Sequence, residues 1–303
     1  MPTFQVATAE HTGGRQEQQD SVAYWTNGTQ CLAVLADGVG GNTDGKAASQ
    51  AVIDSAKNLW TREKGLFHAP KDQLTQIAED AFSAIEQLAP DANRKPASTI
   101  VALYVDQKNA HWVHCGDSRL YHLNPSGRVI TRTRDHSVVQ MLLDQDKITE
   151  AELSTHPDKG RILKALGGNS FKGVDYQSSH YQPGDTFLLC SDGYWESIPA
   201  DQAAFPPTPP NKTLQQHAKQ LVERAVQNNG PDSDNTSLAI IHTEGDHRDS
   251  ASQAAASTSM PSHAAGRNEP PNEKKPLKAF LLILFGIFIL FDILLILYLF
   301  VLK

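Results

Sequence analysis

The stretch VLADGVGG, Val34 to Gly41, decides the reading of this chain. An apolar run reads as a buried strand, and it ends in a carboxylate followed by glycines. An unpaired charge costs several kcal/mol to bury. Asp37 at the mouth of a core strand therefore calls for a partner of opposite charge.

Working outward, the same pattern recurs. LLCSDGYW puts Asp192 after another apolar run, HWVHCGDSRL sets Asp117 between two strands, and DSDNTSLAII puts Asp234 just before a last strand. GGRQEQQDS places Asp20 before Val22–Trp25, five residues after Arg15. Five carboxylates at strand ends can converge at one end of a sheet layer. Convergent carboxylates coexist only when protonated or when a cation lies among them. All-oxygen donors select hard ions, Mg²⁺ or Mn²⁺, and no EF-hand spacing favours Ca²⁺. Gly38 is expected to bring a backbone carbonyl to an ion and to supply an unusual φ, with Gly40 and Gly41 clearing space beyond it.

Strands are expected at Gln30–Ala36, Ser98–Val105, Ala110–His114, Arg119–Leu123, Thr186–Cys190 and Thr236–His242. Apolar residues at the helical period mark Lys46–Trp60, Lys71–Leu88 and Leu214–Gln227. Two successive helices followed by clustered strands suit an α+β fold of antiparallel sheets covered by helices.

The chain has 303 residues and a formal charge of -7, which argues against a broad nucleic-acid surface, since that needs a basic stripe. Cys31, Cys115 and Cys190 each lie inside an apolar run and read as small core residues rather than a disulfide framework. Residues 1–243 form the expected folded domain, and the Ser, Ala and Pro-rich stretch 244–276 reads as a flexible linker. Within 277–303, the apolar run Ala279–Leu302 would span about 36 Å as a helix, enough to cross a membrane. Lys274, Lys275 and Lys278 precede it and place the folded domain on the cytoplasmic side. Asp292, near mid-span, either pairs with another membrane helix or is protonated.

In the order GGRQEQQDS, VLADGVGG, GDSRLYHL, TRDHSVVQMLLDQDKIT, LKALGG, LLCSDGYWE and DNTSLAII, the motifs from Phe4 to His242 resemble the metal-dependent serine/threonine phosphatases of the protein phosphatase 2C family, in its bacterial form. The resemblance implies a β-sandwich flanked by helices, with a dinuclear Mn²⁺ or Mg²⁺ centre at one end of the sheets. It implies that Asp37 bridges two ions, that the Gly38 carbonyl binds one, and that Asp192 and Asp234 complete the first ion's ligands. Asp20 would hold metal-bound water, Asp117 with Asp192 a third and weaker ion, and Arg15 the substrate phosphate, for which its planar fork is suited. Two ions about 3.5–4 Å apart can share a hydroxide and aim it at the phosphorus of phosphoserine or phosphothreonine.

Gln19 stands where many relatives carry Glu, and Val39 where animal members carry a His thought to protonate the leaving group. His136 is a candidate replacement acid or a structural hydrogen-bonder. Asp135 is a candidate N-cap for the next helix, and 144–171 corresponds to the family's variable flap. Phosphoproteins, with a Ser/Thr kinase or its substrates, are the implied partners. A catalytically inactive, membrane-anchored binding module on the same fold is the alternative.

Overall fold

A computed structural model describes residues 3–39, 43–88, 95–167, 171–198, 208–209 and 211–244. Glu244, the first residue of the expected linker 244–276, instead ends the last strand opposite Thr3; the rest of that linker, the expected membrane span with Asp292, and the pair Gly40 and Gly41 lie outside the described residues. Among the described residues no helix is long and apolar enough to cross a membrane.

Among the described residues eleven strands and five α-helices follow in order: β1 (Thr3–His11), β2 (Asp20–Thr26), β3 (Cys31–Val39), α1 (Thr43–Arg62), α2 (Pro70–Leu88), β4 (Ala97–Ser98), β5 (Ile100–Val105), β6 (Asn109–Cys115), β7 (Arg119–Leu123), β8 (Val129–Arg132), α3 (Val138–Asp144), β9 (Asp175–His180), β10 (Thr186–Cys190), α4 (Asp192–Trp195), α5 (Leu214–Asn229) and β11 (Thr236–Glu244). One sheet has the order β1-β11-β10-β7-β8, the other β2-β3-β5-β6-β9 with β4 joined to β3. The pairings are antiparallel throughout.

Period-two alternation explains the layers. On β3, Cys31, Ala33 and Leu35 join Val101, Leu103, Trp112, Phe187, Leu189, Ala239 and Ile241 in a core between the two sheets. The alternate residues Leu32, Val34 and Ala36 pack on α1 and α2 through Val52, Leu59, Leu74 and Ile77. On the other sheet, Leu188, Leu238 and Ile240 pack outward on α5 through Leu221 and Val222. The fold is thus helices, sheet, sheet, helix. Strands buried on both faces read as unbroken apolar runs for this reason. All three cysteines are buried and free.

Three expectations need correction. The first strand does not stop at Ala36, because Asp37 pairs with Asp20 and Gly38 with Ser98, which carries β3 on to Val39. Leu88, on the apolar face by periodicity, is exposed at the end of α2. Asp135 does not cap α3: the Ser137 hydroxyl accepts from Gln140 N–H instead. Asp135 is occupied elsewhere, accepting from Arg119 Nε at 2.9 Å and Nη2 at 2.6 Å with both residues buried. The Arg119 guanidinium also lies 3.5 Å from the centre of the Trp195 ring.

Removing one partner of a buried ion pair strands the other. Asp135→Ala is therefore expected to lower stability by about 3–5 kcal/mol. Urea unfolding of the variant checks this: the midpoint should fall with little change in slope.

Candidate metal centre

Asp37 continues the alternation of Cys31, Ala33 and Leu35, so it belongs to the side of β3 that faces the opposite sheet. Asp20 shares this side with Val22, and the two aspartates are direct cross-strand partners. Like charges directly opposite are destabilising in a sheet. Hydrogen bonds fix both strands here: Asp37 N–H donates to Thr99 Oγ1 at 2.9 Å, and Thr99 N–H donates to the Asp37 carbonyl at 2.8 Å. The Ser191 hydroxyl reaches across from the other sheet to Asp20 Oδ2 at 2.8 Å.

The other carboxylates come to the same end by different routes. Gly116–Ser118 is the turn from β6 in one sheet to β7 in the other. Ser118 Oγ lies 2.7 Å from Thr99 Oγ1, and Trp195 Nε1 donates to the Asp117 carbonyl at 3.0 Å. Asp192 opens α4 just after β10, and its Oδ1 accepts from Gly193 N–H at 2.6 Å. Gly193 sits so close to the Asp234–Asn235 turn that a Cβ would fall 2.2 Å from the Asn235 carbonyl oxygen. Asn235 ties this turn to the N-terminal loop: its Oδ1 accepts from Gln19 N–H, and its Nδ2 donates to the carbonyls of Thr12 and Glu17.

Burial raises the pKa of Asp20 to about 6, with the Ser191 hydroxyl opposing and the Asp234 charge adding. Burial takes Asp117 to about 7, helped by Asp135 and opposed by Arg119. Asp37 and Asp192 are raised well above the ordinary carboxylate range by burial, then by charge: Asp37 by Asp20, Asp192, Asp117 and Asp234, and Asp192 by Asp117, Glu196, Asp234 and Asp20. All five expected carboxylates thus fall within one electrostatic neighbourhood. They do not form a closed cage. Among the described residues the one trio of metal-capable donor atoms within 4.8 Å of one another is His114, His136 and Asp175.

Asp234 is turned toward Arg15, which donates from Nε to Oδ1 at 2.9 Å and from Nη2 to Oδ2 at 2.7 Å. That pair is half exposed, and it raises the Arg15 pKa. Arg15 is the one cation among the described residues in an ion pair with any of the five. The arrangement fits divalent cations on two counts. The donors are hard oxygens, and the buried Asp20 Oδ1 and Asp117 Oδ1 have no hydrogen-bond partner.

Gly38 does not supply the unusual φ expected of it, and its lack of a side chain serves packing. It has no positive φ. A Cβ there would lie 2.0 Å from the Gly45 carbonyl oxygen, so the glycine permits β3 to pass against the first turn of α1. His136 faces away from a role as acid: its Nδ1 accepts from Gly116 N–H at 3.1 Å, and its ring stacks on His114. Thr99 and Ser191 give no sign of these roles in the sequence, and the tying role of Asn235 is not legible there either. The one visible signal is the residue type itself, since Asn beside Asp234 supplies both a donor and an acceptor to a loop.

A helix–sheet–sheet–helix sandwich with an acidic end, carried by motifs in this order, defines a class. A family model described as protein phosphatase 2C matches residues 8–240. The chain belongs to the protein phosphatase 2C family. It is 32% identical over 220 residues to the serine/threonine protein phosphatase PstP of Mycobacterium tuberculosis, covering 72% of this chain and 41% of that protein's length. It is 31% identical over 196 residues to the serine/threonine phosphatase stp of Listeria monocytogenes, covering 63% of this chain and 73% of the relative. A crystal structure of the PstP catalytic domain in complex with two manganese ions superposes with a TM-score of 0.67 at 27% identity, covering 81% of this chain and 100% of that one.

The raised carboxylates fix the sign of a pH effect. A carboxylate whose folded pKa lies above its unfolded value favours folding below the unfolded value and loses that contribution as pH rises through the folded one. For Asp20 and Asp117 the loss falls between about pH 4 and the folded values near 6 and 7. Chelator-treated protein should therefore lose stability across that window. Asp117→Asn should raise its melting midpoint at pH 8 by about 2–4 °C, the shift that ~1 kcal/mol produces at this size. Thermal scans with EDTA at pH 5 and pH 8 test both expectations.

Proposed function

We propose that this chain is a divalent-cation-dependent protein phosphatase acting on phosphoserine and phosphothreonine. The observation that carries the reading is the mutual charge coupling of Asp20, Asp37, Asp117, Asp192 and Asp234 at one end of the sandwich, with Arg15 beside them. Family membership and the two-manganese structure of a relative support it.

In this reading Asp37, Asp192, Asp234 and the Gly38 carbonyl would hold two Mn²⁺ or Mg²⁺ ions. Asp20, placed between Ser191 and the cross-strand Asp37, would orient a water of that centre, and Asp117 with Asp192 would hold a third, weaker ion. When bound, the ions supply Lewis acidity and a water made nucleophilic near neutral pH, as two-metal sites do for in-line displacement. The chain's own part is to hold negative oxygens at fixed positions and to bring one arginine to the phosphate. Arg15 is suited to that work, since a guanidinium donates two parallel hydrogen bonds to a phosphate as it does here to a carboxylate. Phosphoproteins, a Ser/Thr kinase or its substrates among them, are the proposed partners. The apolar run at 279–302 supports attachment to a membrane with the folded domain on the cytoplasmic face.

Turnover of a phosphothreonine peptide by the full chain is expected to need Mn²⁺ and to stop with EDTA. Asp192→Ala should lower kcat/KM by about 10³-fold or more, ~4 kcal/mol of transition-state stabilisation. Arg15→Ala should act mainly by raising KM. Activity indifferent to EDTA would sink the proposal. Metal binding without turnover would instead identify a binding module.

A further inference from the structure

His136 is joined to the Asp117 turn at both ends of one residue. Its backbone N–H donates to the Gly116 carbonyl at 2.9 Å, and the Gly116 N–H donates back to His136 Nδ1 at 3.1 Å. An Nδ1 that accepts must carry the lone pair, so in the neutral ring the proton is on Nε2. Nε2 faces Asp175 Oδ2 at 3.3 Å, and Asp175 Oδ1 accepts from Lys164 Nζ at 2.8 Å. Burial, with His114 beside it, lowers the imidazole to about 4 and so keeps it neutral.

The far end of this chain of bonds lies in the segment that resembles the family's flap. That segment is stitched to the same wall: Leu163 N–H donates to the His136 carbonyl, Val138 N–H to the Arg161 carbonyl, and Leu166 exchanges two hydrogen bonds with Ser98. Ser98 Oγ in turn donates to the Asp37 carbonyl at 3.1 Å.

His114, His136 and Asp175 place donor atoms near one another, but their geometry opposes a shared ion. The two rings stack with planes 6° apart and centroids 4.7 Å apart, so their in-plane lone pairs do not converge. His136 Nδ1 is already committed to Gly116.

We propose that His136 is a positioning residue for Asp117: it clamps the Gly116 peptide and links that turn, through Asp175 and Lys164, to the base of the flap. The metal-dependent half of this claim rests on the reading of Asp117 as a ligand given above. Asp117 is held from the other sides by Trp195 Nε1 and by the Thr99–Ser118 contact, so His136 supplies the restraint on the Gly116 side. Loss of one outer partner of a metal ligand typically weakens affinity by 10- to 100-fold.

The test compares full-length wild type, His136→Leu and His136→Asn by hydrogen exchange at Gly116 and by Mn²⁺ titration, each also on an Asp117→Ala background. His136→Leu should speed Gly116 exchange by about 10-fold or more and weaken the lowest-affinity Mn²⁺ by about 10- to 100-fold. His136→Asn keeps an acceptor near the Nδ1 position and should recover much of both. On the Asp117→Ala background, His136→Leu should have no further effect on Mn²⁺. Unchanged Gly116 exchange in His136→Leu overturns the proposal, as does equal impairment by Leu and Asn. If Asp117→Ala removes no Mn²⁺, the ligand reading falls, and the exchange data alone then decide whether His136 clamps the turn.

Discussion

Negative charge crowded at one end of the sandwich, in part out of water, sets the terms for this molecule. Asp20 and Asp37 face each other across a strand pair, and Asp117 and Asp192 are brought close enough to raise their neighbours' proton affinity. Nothing in strand formation favours such a set, since like charges opposite one another weaken a sheet. The surrounding structure resists that repulsion with short polar side chains. Ser191, Thr99 and Ser118 tie the carboxylate-bearing segments of the two sheets, and Asn235 fastens the N-terminal loop to the last turn. The sandwich is apolar for most of its length and acidic at one end, and the free energy of the first supports the strain of the second.

The sheets and their principal helices were legible because burial on both faces writes an unbroken apolar run. Thr186–Cys190 and Arg119–Leu123 were readable to the residue. Strands with wet faces were not: β1 and β9 carry polar residues at most positions, and β9 lies at a sheet edge. Boundaries failed where tertiary pairing extended an element beyond its apolar residues, as when Asp20 and Ser98 carried β3 on through Asp37 to Val39. The acidic residues themselves were conspicuous at strand ends. Their supports were not, since nothing local distinguishes Ser191 or Thr99 from any other small polar residue. Periodicity cannot say which carboxylate will meet which hydroxyl across two sheets.

Arg119 and Asp135 show how one buried pair can order several motifs at once. The guanidinium spans Asp135, the Tyr121 hydroxyl and the face of Trp195. Trp195 in turn holds the Asp117 carbonyl. Segments far apart in sequence are thereby locked to a common origin, and the ion pair contributes more to position than to net stability. The Gly38–Gly45 contact does comparable work by steric means, fixing how closely the first helix approaches the strand that carries Asp37.

Strand β1 lies against β11, with Thr3 opposite Glu244 and His11 opposite Thr236. Arg15 and Asp20 are thus synthesised early and Asp234 near the end of the domain, yet Asp234 is the residue that Arg15 grasps. A nascent chain leaving the ribosome carries an acidic half-site whose final wall does not yet exist. A prematurely terminated product would keep four of the five aspartates without their closing partner.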